Sequence, residues 1–299
     1  MPIHPIFSSY PFITGDTFRT ICDFYMEEDG LNFSPEDVFQ GAKIFLKTDL
    51  KQLFFERIHP HIQNKYILIT HNGDLESPGS FLKYACDQKL FMWFISDCGT
   101  NVCSPEVFRS YSNIVPIPLG LTNMGHNNVI GNTECYQNIA KENIPRTQWS
   151  YLNIAVHQGD GRQEVVDLFS KNTDFVTSVE NGGKERISHD NYIRELFRHR
   201  FVFSPMGNPI NQQRGECHRT WEALLSGCIP IVKEKEVAYL KSVYDELPVW
   251  IVKEWSDVTF ESMQKTYTDF GNRTWKTERC YFPYWENMIE LASSVLKAI

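Results

Sequence analysis

His218 and Arg219 fall in the first turn of a helix that the sequence predicts from about Cys217 onward. The N-terminus of a helix carries about half a positive charge, so this turn ordinarily takes Asp or Glu. An anion docked between the free N–H groups and the guanidinium would remove the conflict. Glu222 lies three residues on and shares a face with Arg219, away from the apolar stripe of Trp221, Leu224 and Leu225. A carboxylate beside an anion site repels the anion unless it accepts hydrogen bonds from hydroxyls nearby. Phosphate with vicinal hydroxyls describes a nucleotide diphosphate and its ribose. The alternative is a surface helix on which Arg219 and Glu222 form a solvated ion pair.

Arg162 repeats the anomaly. It starts a helix after the strand expected at residues 152–156 and the loop His157-Gln158-Gly159-Asp160-Gly161. Two arginines that each follow a strand and a glycine-bearing loop can converge on one diphosphate. Gly159 and Gly161 alone do not make a dinucleotide fingerprint, since no third glycine or downstream acidic partner fits. The connection before Arg219 opens with Ser204-Pro205-Met206-Gly207-Asn208-Pro209, which breaks regular pairing. The candidate nucleotide-binding set is therefore Gly159, Arg162, Ser204, Gly207, Asn208, Gly215, His218, Arg219 and Glu222, with backbone N–H groups around Gly207 and Gly215 contributing.

A second group of chemically capable residues follows the apolar run at 66–70. His71, Asp74 and Glu76 share one polar loop, and Asn72-Gly73 forms a turn that can aim the Asp74 carboxylate. Asp74 is the first candidate for a general base, with Glu76 and then His71 behind it. The same dipeptide is also ordinary turn chemistry.

The elements that must hold these residues alternate. Strands are expected at 43–47, 66–70, 90–95 and 114–118, with helices at 16–26, 50–58 and 81–86. A second series adds strands at 152–156, 175–176, 201–203, 228–232 and 249–252. Its helices follow Arg162, Ser188 and Cys217, and cover 237–247 and 258–270. Ser188 is a plausible N-cap, and Gly227 suits the residue just past a helix end. Alternation of this kind implies parallel sheets covered on both faces, which bind ligands outside the carboxyl ends of their strands. Residues 1–146 and 150–277 form two α/β lobes on this reading. The polar stretch 137–149 links them, and a last amphipathic helix from 281 returns to the first lobe.

The run Cys217-His218-Arg219-Thr220-Trp221-Glu222-Ala223-Leu224 leading into Gly227-Cys228-Ile229-Pro230-Ile231 resembles the donor-site signature of exostosin-like glycosyltransferases. Arg162 also resembles that family's arginine at the start of the second lobe. The resemblance implies a GT-B fold with two Rossmann-like lobes facing each other across a cleft. It further implies a nucleotide-sugar donor and inversion at the anomeric carbon. Within the family the compact chain is similar to xylose-transferring members that glycosylate a viral capsid protein, which implies UDP-xylose as donor and fucose of a capsid N-glycan as acceptor. Trp93-Phe94-Ile95-Ser96-Asp97 with Ile117-Pro118-Leu119-Gly120-Leu121 is similar to a looser family stretch near the cleft. That similarity adds Asp97 to His71 and Glu76 as candidate acceptor contacts, with Asn101 and Asn123 weaker. It also implies that Ile187 and Ser188 lie near the nucleotide base. The alternatives are another nucleotide-sugar enzyme, such as an epimerase, and a glycan- or nucleotide-binding module without catalysis.

The 299-residue chain carries a net charge of -8, which argues against nucleic acid or an anionic membrane as its main partner. No apolar run approaches the roughly 20 residues of a membrane-spanning helix, and the first ten residues lack the apolar core of a signal peptide. Cytoplasmic placement is the expectation, and it suits eight scattered cysteines as reduced thiols. On that placement the glycosylation triplets at Asn32 and Asn272 are chance matches. His59-Pro60-His61 lacks the companions of a metal site and reads as surface histidines. No Asp-x-Asp occurs, so a leaving group would be stabilised by arginines and helix N-termini, with no metal and no other cofactor.

Overall fold

Apolar runs bounded by turn residues build two parallel sheets in the computed structural model. It describes residues 9–75, 77–96, 110–123, 133–156, 162–179, 187–207 and 216–299. The chain divides into two compact units, residues 1–123 with 281–299, and residues 124–280.

The first unit carries β1 (Phe24–Glu27), β2 (Gly30–Leu31), β3 (Ala42–Lys47), β4 (Tyr66–His71), β5 (Leu90–Ile95) and β6 (Ile114–Pro116). Their order is β2-β1-β3-β4-β5-β6, parallel except for the β1–β2 hairpin. β3 and β4 lie in the middle, and every residue of β4 is buried. This is why they read as continuous apolar runs rather than alternating ones. β1 lies where a helix over 16–26 is expected. The helix there, α1 (Gly15–Thr20), stops early, and Phe24 pairs with Ile44 to extend the sheet. The helix expected at 50–58 is a run of 3-10, α and π turns from Thr48 to His61. His59, expected at the surface, is buried there. Its Nδ1 lies 2.7 Å from the Tyr66 hydroxyl and its Nε2 3.0 Å from the Asp87 carboxylate.

The second unit holds β7 (Gln148–Leu152), β8 (Val176–Ser178), β9 (His199–Phe203), β10 (Ile229–Lys233) and β11 (Trp250–Val252). Its order is β11-β10-β9-β7-β8, all parallel. The longer helices described in this unit are α2 (Glu134–Ala140), α3 (Arg162–Phe169), α4 (His189–Arg198), α5 (His218–Leu225) and α6 (Phe260–Gly271). The segment 137–149, expected as a linker, contains most of α2 and the start of β7. α2 buries Cys135, Tyr136 and Ile139, a one-sided pattern that its polar neighbours obscure. The strand expected at 152–156 ends at Leu152 instead. Its register is set by Ser150 opposite both Val176 and Phe201. The helix expected at 237–247 is broken into short turns between Glu234 and Tyr244.

α5 ends in a Schellman motif. Gly227 has φ +70, its N–H donates to Leu224 O, and the Cys228 N–H donates to Ala223 O. Arg146 gathers the carbonyls left over at two helix ends. Its Nη1 donates to Leu196 O (2.9 Å) and His199 O, and its Nη2 donates to Ser226 O (2.6 Å).

The final helix, α7 (Phe282–Lys297), belongs to the first unit. Tyr281 bridges Phe12, and the Phe282 N–H donates to Pro11 O. Ser293 Oγ donates to Gly41 O, and Lys43 pairs with Glu290. Among the described residues no helix is long and apolar enough to cross a membrane.

Candidate functional site

In the second unit the candidate residues collect at the carboxyl end of β9. Ser204 follows that strand, and its hydroxyl lies 2.9 Å from Thr220 Oγ1 and 3.2 Å from Cys217 Sγ. This contact fastens the strand end to the first turn of α5. Gly207 allows the connection to close on itself, since a Cβ there would meet Glu216 O at 2.7 Å. Glu216 is 1% exposed, and its Oε1 accepts from Trp221 Nε1 (2.5 Å) and Tyr244 Oη (2.8 Å). A buried carboxylate with two donors is satisfied, so Glu216 anchors the loop's exit.

Cys217 caps α5 in extended conformation without a side-chain cap bond, and no acidic residue occupies the first turn. His218 and Arg219 open the helix, both half-buried. Arg219 Nη1 lies 3.8 Å from Cys217 Sγ, whereas Nε is buried without a hydrogen-bond partner among the described residues. Burial opposes its charge, but Cys217, Tyr192 and Glu222 outweigh that and hold the guanidinium above its ordinary pKa. The solvated ion pair is not what forms. Glu222 is 8% exposed, and its Oε2 accepts from the Tyr192 hydroxyl at 2.9 Å. Burial, then the Glu222 charge, raises the Tyr192 phenol well above its usual value, so it stays a donor. The hydroxyl is what places Tyr192 beside Glu222.

Arg162 opens α3 as expected and is buried. Its Nε donates to Met206 O and its Nη1 to Ala155 O, each at 3.0 Å. These carbonyls explain a cation at a helix start. They also tie the segments that leave β7 and β9, so Arg162 fixes one strand end relative to the next. The Met206 N–H donates to Glu236 Oε2 at 3.0 Å. Burial pushes the Glu236 carboxyl from 4.5 up to about 7, against the Met206 N–H and the Lys233 and Lys235 charges. Between those values the folded chain keeps a proton that the unfolded chain has released. Stability should therefore fall as pH rises from about 4.5 to about 7, by roughly 3 kcal/mol, and level off above. Glu236→Gln keeps an acceptor for Met206 and should flatten this slope in urea titrations at several pH values; an unchanged slope would assign it to other groups.

In the first unit the residues after β4 form a second cluster. His71 is 2% exposed and packs against Phe18. The Asn72 N–H donates to its Nδ1 (2.8 Å), so the proton is on Nε2, which faces Pro118 O at 3.3 Å. His71 thus supports the loop from beneath. Asn72 has φ 58, a left-handed conformation that asparagine tolerates. Its Oδ1 accepts from Asn123 Nδ2 (3.0 Å), and its Nδ2 donates to Asp16 Oδ1 (3.2 Å). The Asp16 N–H donates to Asn123 Oδ1. Gly15 makes this closeness possible, since a Cβ there would lie 1.7 Å from Asn72 Oδ1. Asp74 is exposed, and Asp49 Oδ1 holds its turn by accepting from the Asp74 and Leu75 N–H groups, both at 2.8 Å. Asp16, Asn72 and Asn123 form an amide–carboxylate network drawn from three segments. From sequence Asn123 is a candidate contact and Asn72 a turn residue; the separations of 107 and 56 residues that join the network leave no local signal.

Glu76, Asp97, Asn101, Gly159, Asn208 and Gly215 lie outside the described residues. Ile187 is exposed, and Ser188 caps α4, accepting from the Asn191 N–H.

No family model and no curated protein matches the sequence. Among solved structures the chain is similar to the pneumococcal O-GlcNAc transferase GtfA in complex with UDP and GlcNAc. Identity is 14%, the TM-score is 0.34, and the match covers 87% of this chain and 53% of that one. The chain spans about half the length of that protein.

Proposed function

We propose that the chain is an inverting glycosyltransferase that moves a sugar from a UDP-sugar to a glycan hydroxyl, with UDP-xylose as the donor to test first. The observation that carries this reading is the start of α5, where a buried Arg219 Nε without a partner stands beside the carboxylate of Glu222. Both lie past the carboxyl end of β9 in a parallel sheet, where such folds take nucleotides. The diphosphate would dock on Arg219 at the start of α5, with His218 at its edge. Glu222, oriented by Tyr192, would accept from the ribose hydroxyls. Arg162 and Ser204 would hold the strand ends that shape this pocket. Negative charge builds on the departing UDP as the glycosidic bond breaks. A fixed guanidinium and helix N-terminus stabilise that charge without reorganising, so donor binding would not require a metal.

The acceptor hydroxyl must lose its proton as its oxygen attacks the anomeric carbon. Asp74 would take that proton. Its backbone is pinned by Asp49, and the residue is exposed. The sugar's configuration inverts because the new bond forms opposite the one to UDP. Asp74→Asn should leave UDP affinity within about twofold and lower transfer at least about a hundredfold; transfer at the parent rate would place the base elsewhere.

Thermal shift with nucleotides tests the donor site. UDP at about 100 times its dissociation constant should add about 2.7 kcal/mol of stability, and EDTA should leave that increment unchanged. No shift with any nucleotide would sink the transferase reading. A shift with a glycan alone would favour a binding module, and turnover of a UDP-sugar without any acceptor would favour an epimerase or hydrolase.

A further inference from the structure

Cys135, His189 and Asp190 serve none of the roles above. Cys135 projects from α2, while His189 and Asp190 are the first two residues of α4, which packs against α2. One ligand atom from each residue falls within 4.8 Å of the other two. Cys135 Sγ and His189 Nδ1 are 3.7 Å apart. Zinc–sulfur and zinc–nitrogen bonds of about 2.3 and 2.05 Å at a tetrahedral angle set the two ligand atoms about 3.6 Å apart. A thiol hydrogen bond to the imidazole would account for that pair alone. The Asp190 carboxylate, in the first turn of α4, brings a third ligand atom within the same reach.

We propose that Cys135 Sγ, His189 Nδ1 and an Asp190 carboxylate oxygen form a zinc site that fastens α2 to α4, with a water completing the tetrahedron. The mixed sulfur, nitrogen and oxygen set selects zinc over magnesium or calcium, which take oxygen ligands. A cation at the start of α4 opposes the helix dipole, but the thiolate and the carboxylate cancel both charges of the metal. On binding, the thiol releases its proton to solvent and the Zn–S bond takes its place. Cys135 is buried, His189 half-buried and Asp190 exposed, so the metal enters from the Asp190 side.

This site is independent of the nucleotide reading and is tested without turnover. The full chain is stripped with chelator and titrated with Zn²⁺ against a chromophoric competitor, then with Co²⁺. One equivalent should bind, and Co²⁺ should give a thiolate-to-metal charge-transfer band. Cys135→Ser should abolish the band and weaken Zn²⁺ binding at least about a hundredfold, more than loss of an outer-shell partner. His189→Gln and Asp190→Asn, at less buried positions, should each weaken binding at least about tenfold with the fold intact by circular dichroism. Absence of a Zn²⁺ equivalent, or a band that persists in Cys135→Ser, overturns the proposal. So does unchanged affinity in both His189→Gln and Asp190→Asn.

Discussion

Arg219→Met should lower UDP affinity at least about a hundredfold while leaving the second unit folded. A guanidinium can donate two charge-assisted hydrogen bonds to a diphosphate, each worth about 1.5–3 kcal/mol. Loss of both amounts to about two decades or more in affinity. Methionine fills the aliphatic part of the side chain, and Glu222 keeps its bond from Tyr192. The fold should therefore survive, which urea unfolding can verify. Arg219→Lys should recover only part of the affinity, because an ammonium cannot present a planar fork. Calorimetry with UDP separates the outcomes. Parent-like binding in Arg219→Met would remove the residue from the donor site, whatever becomes of catalysis.

The second large effect is structural. Arg146→Met should destabilise the second unit by about 3 kcal/mol or more, read as a lower urea midpoint by tryptophan fluorescence. Arg146 donates to three carbonyls at the ends of α4 and α5, and charged donors contribute about 1.5–3 kcal/mol each. Those carbonyls stay half-sequestered and would lack a partner after the change. The Gly227 cap lies directly against this guanidinium, since a Cβ at Gly227 would sit 3.2 Å from Nη2. The loss should therefore spread to the turn entering β10. A change under about 0.5 kcal/mol would show that water replaces the guanidinium without loss.

The buried strands were legible because a parallel sheet covered on both faces writes itself as unbroken apolar runs. β4, β5, β9 and β10 needed nothing more. β7 was misplaced by four residues at its start. Its register depends on Val176 and Phe201, and a strand containing Ser150 has no such run. α2 was hidden because only three of its seven residues are buried. At the candidate site, Arg219 stood out because a cation at a helix start departs from a physical rule, and Glu222 because it shares a face with Arg219. Arg162 broke the same rule, but its carbonyl partners come from segments 44 and 7 residues away and needed coordinates. Glu216, Glu236 and Arg146 gave no signal for the same reason. Each is an ordinary charged residue until its distant partners are known.

The helix Phe282–Lys297 has a consequence for the order of synthesis. The first unit needs Tyr281 against Phe12 and Ser293 against Gly41, contacts that span more than 250 residues. The second unit is continuous from 124 to 280 and is complete before that helix is made. On a ribosome the chain would therefore not mature from its beginning to its end. The part translated first would wait with the open flank of its sheet uncovered, while the part translated second closes ahead of it.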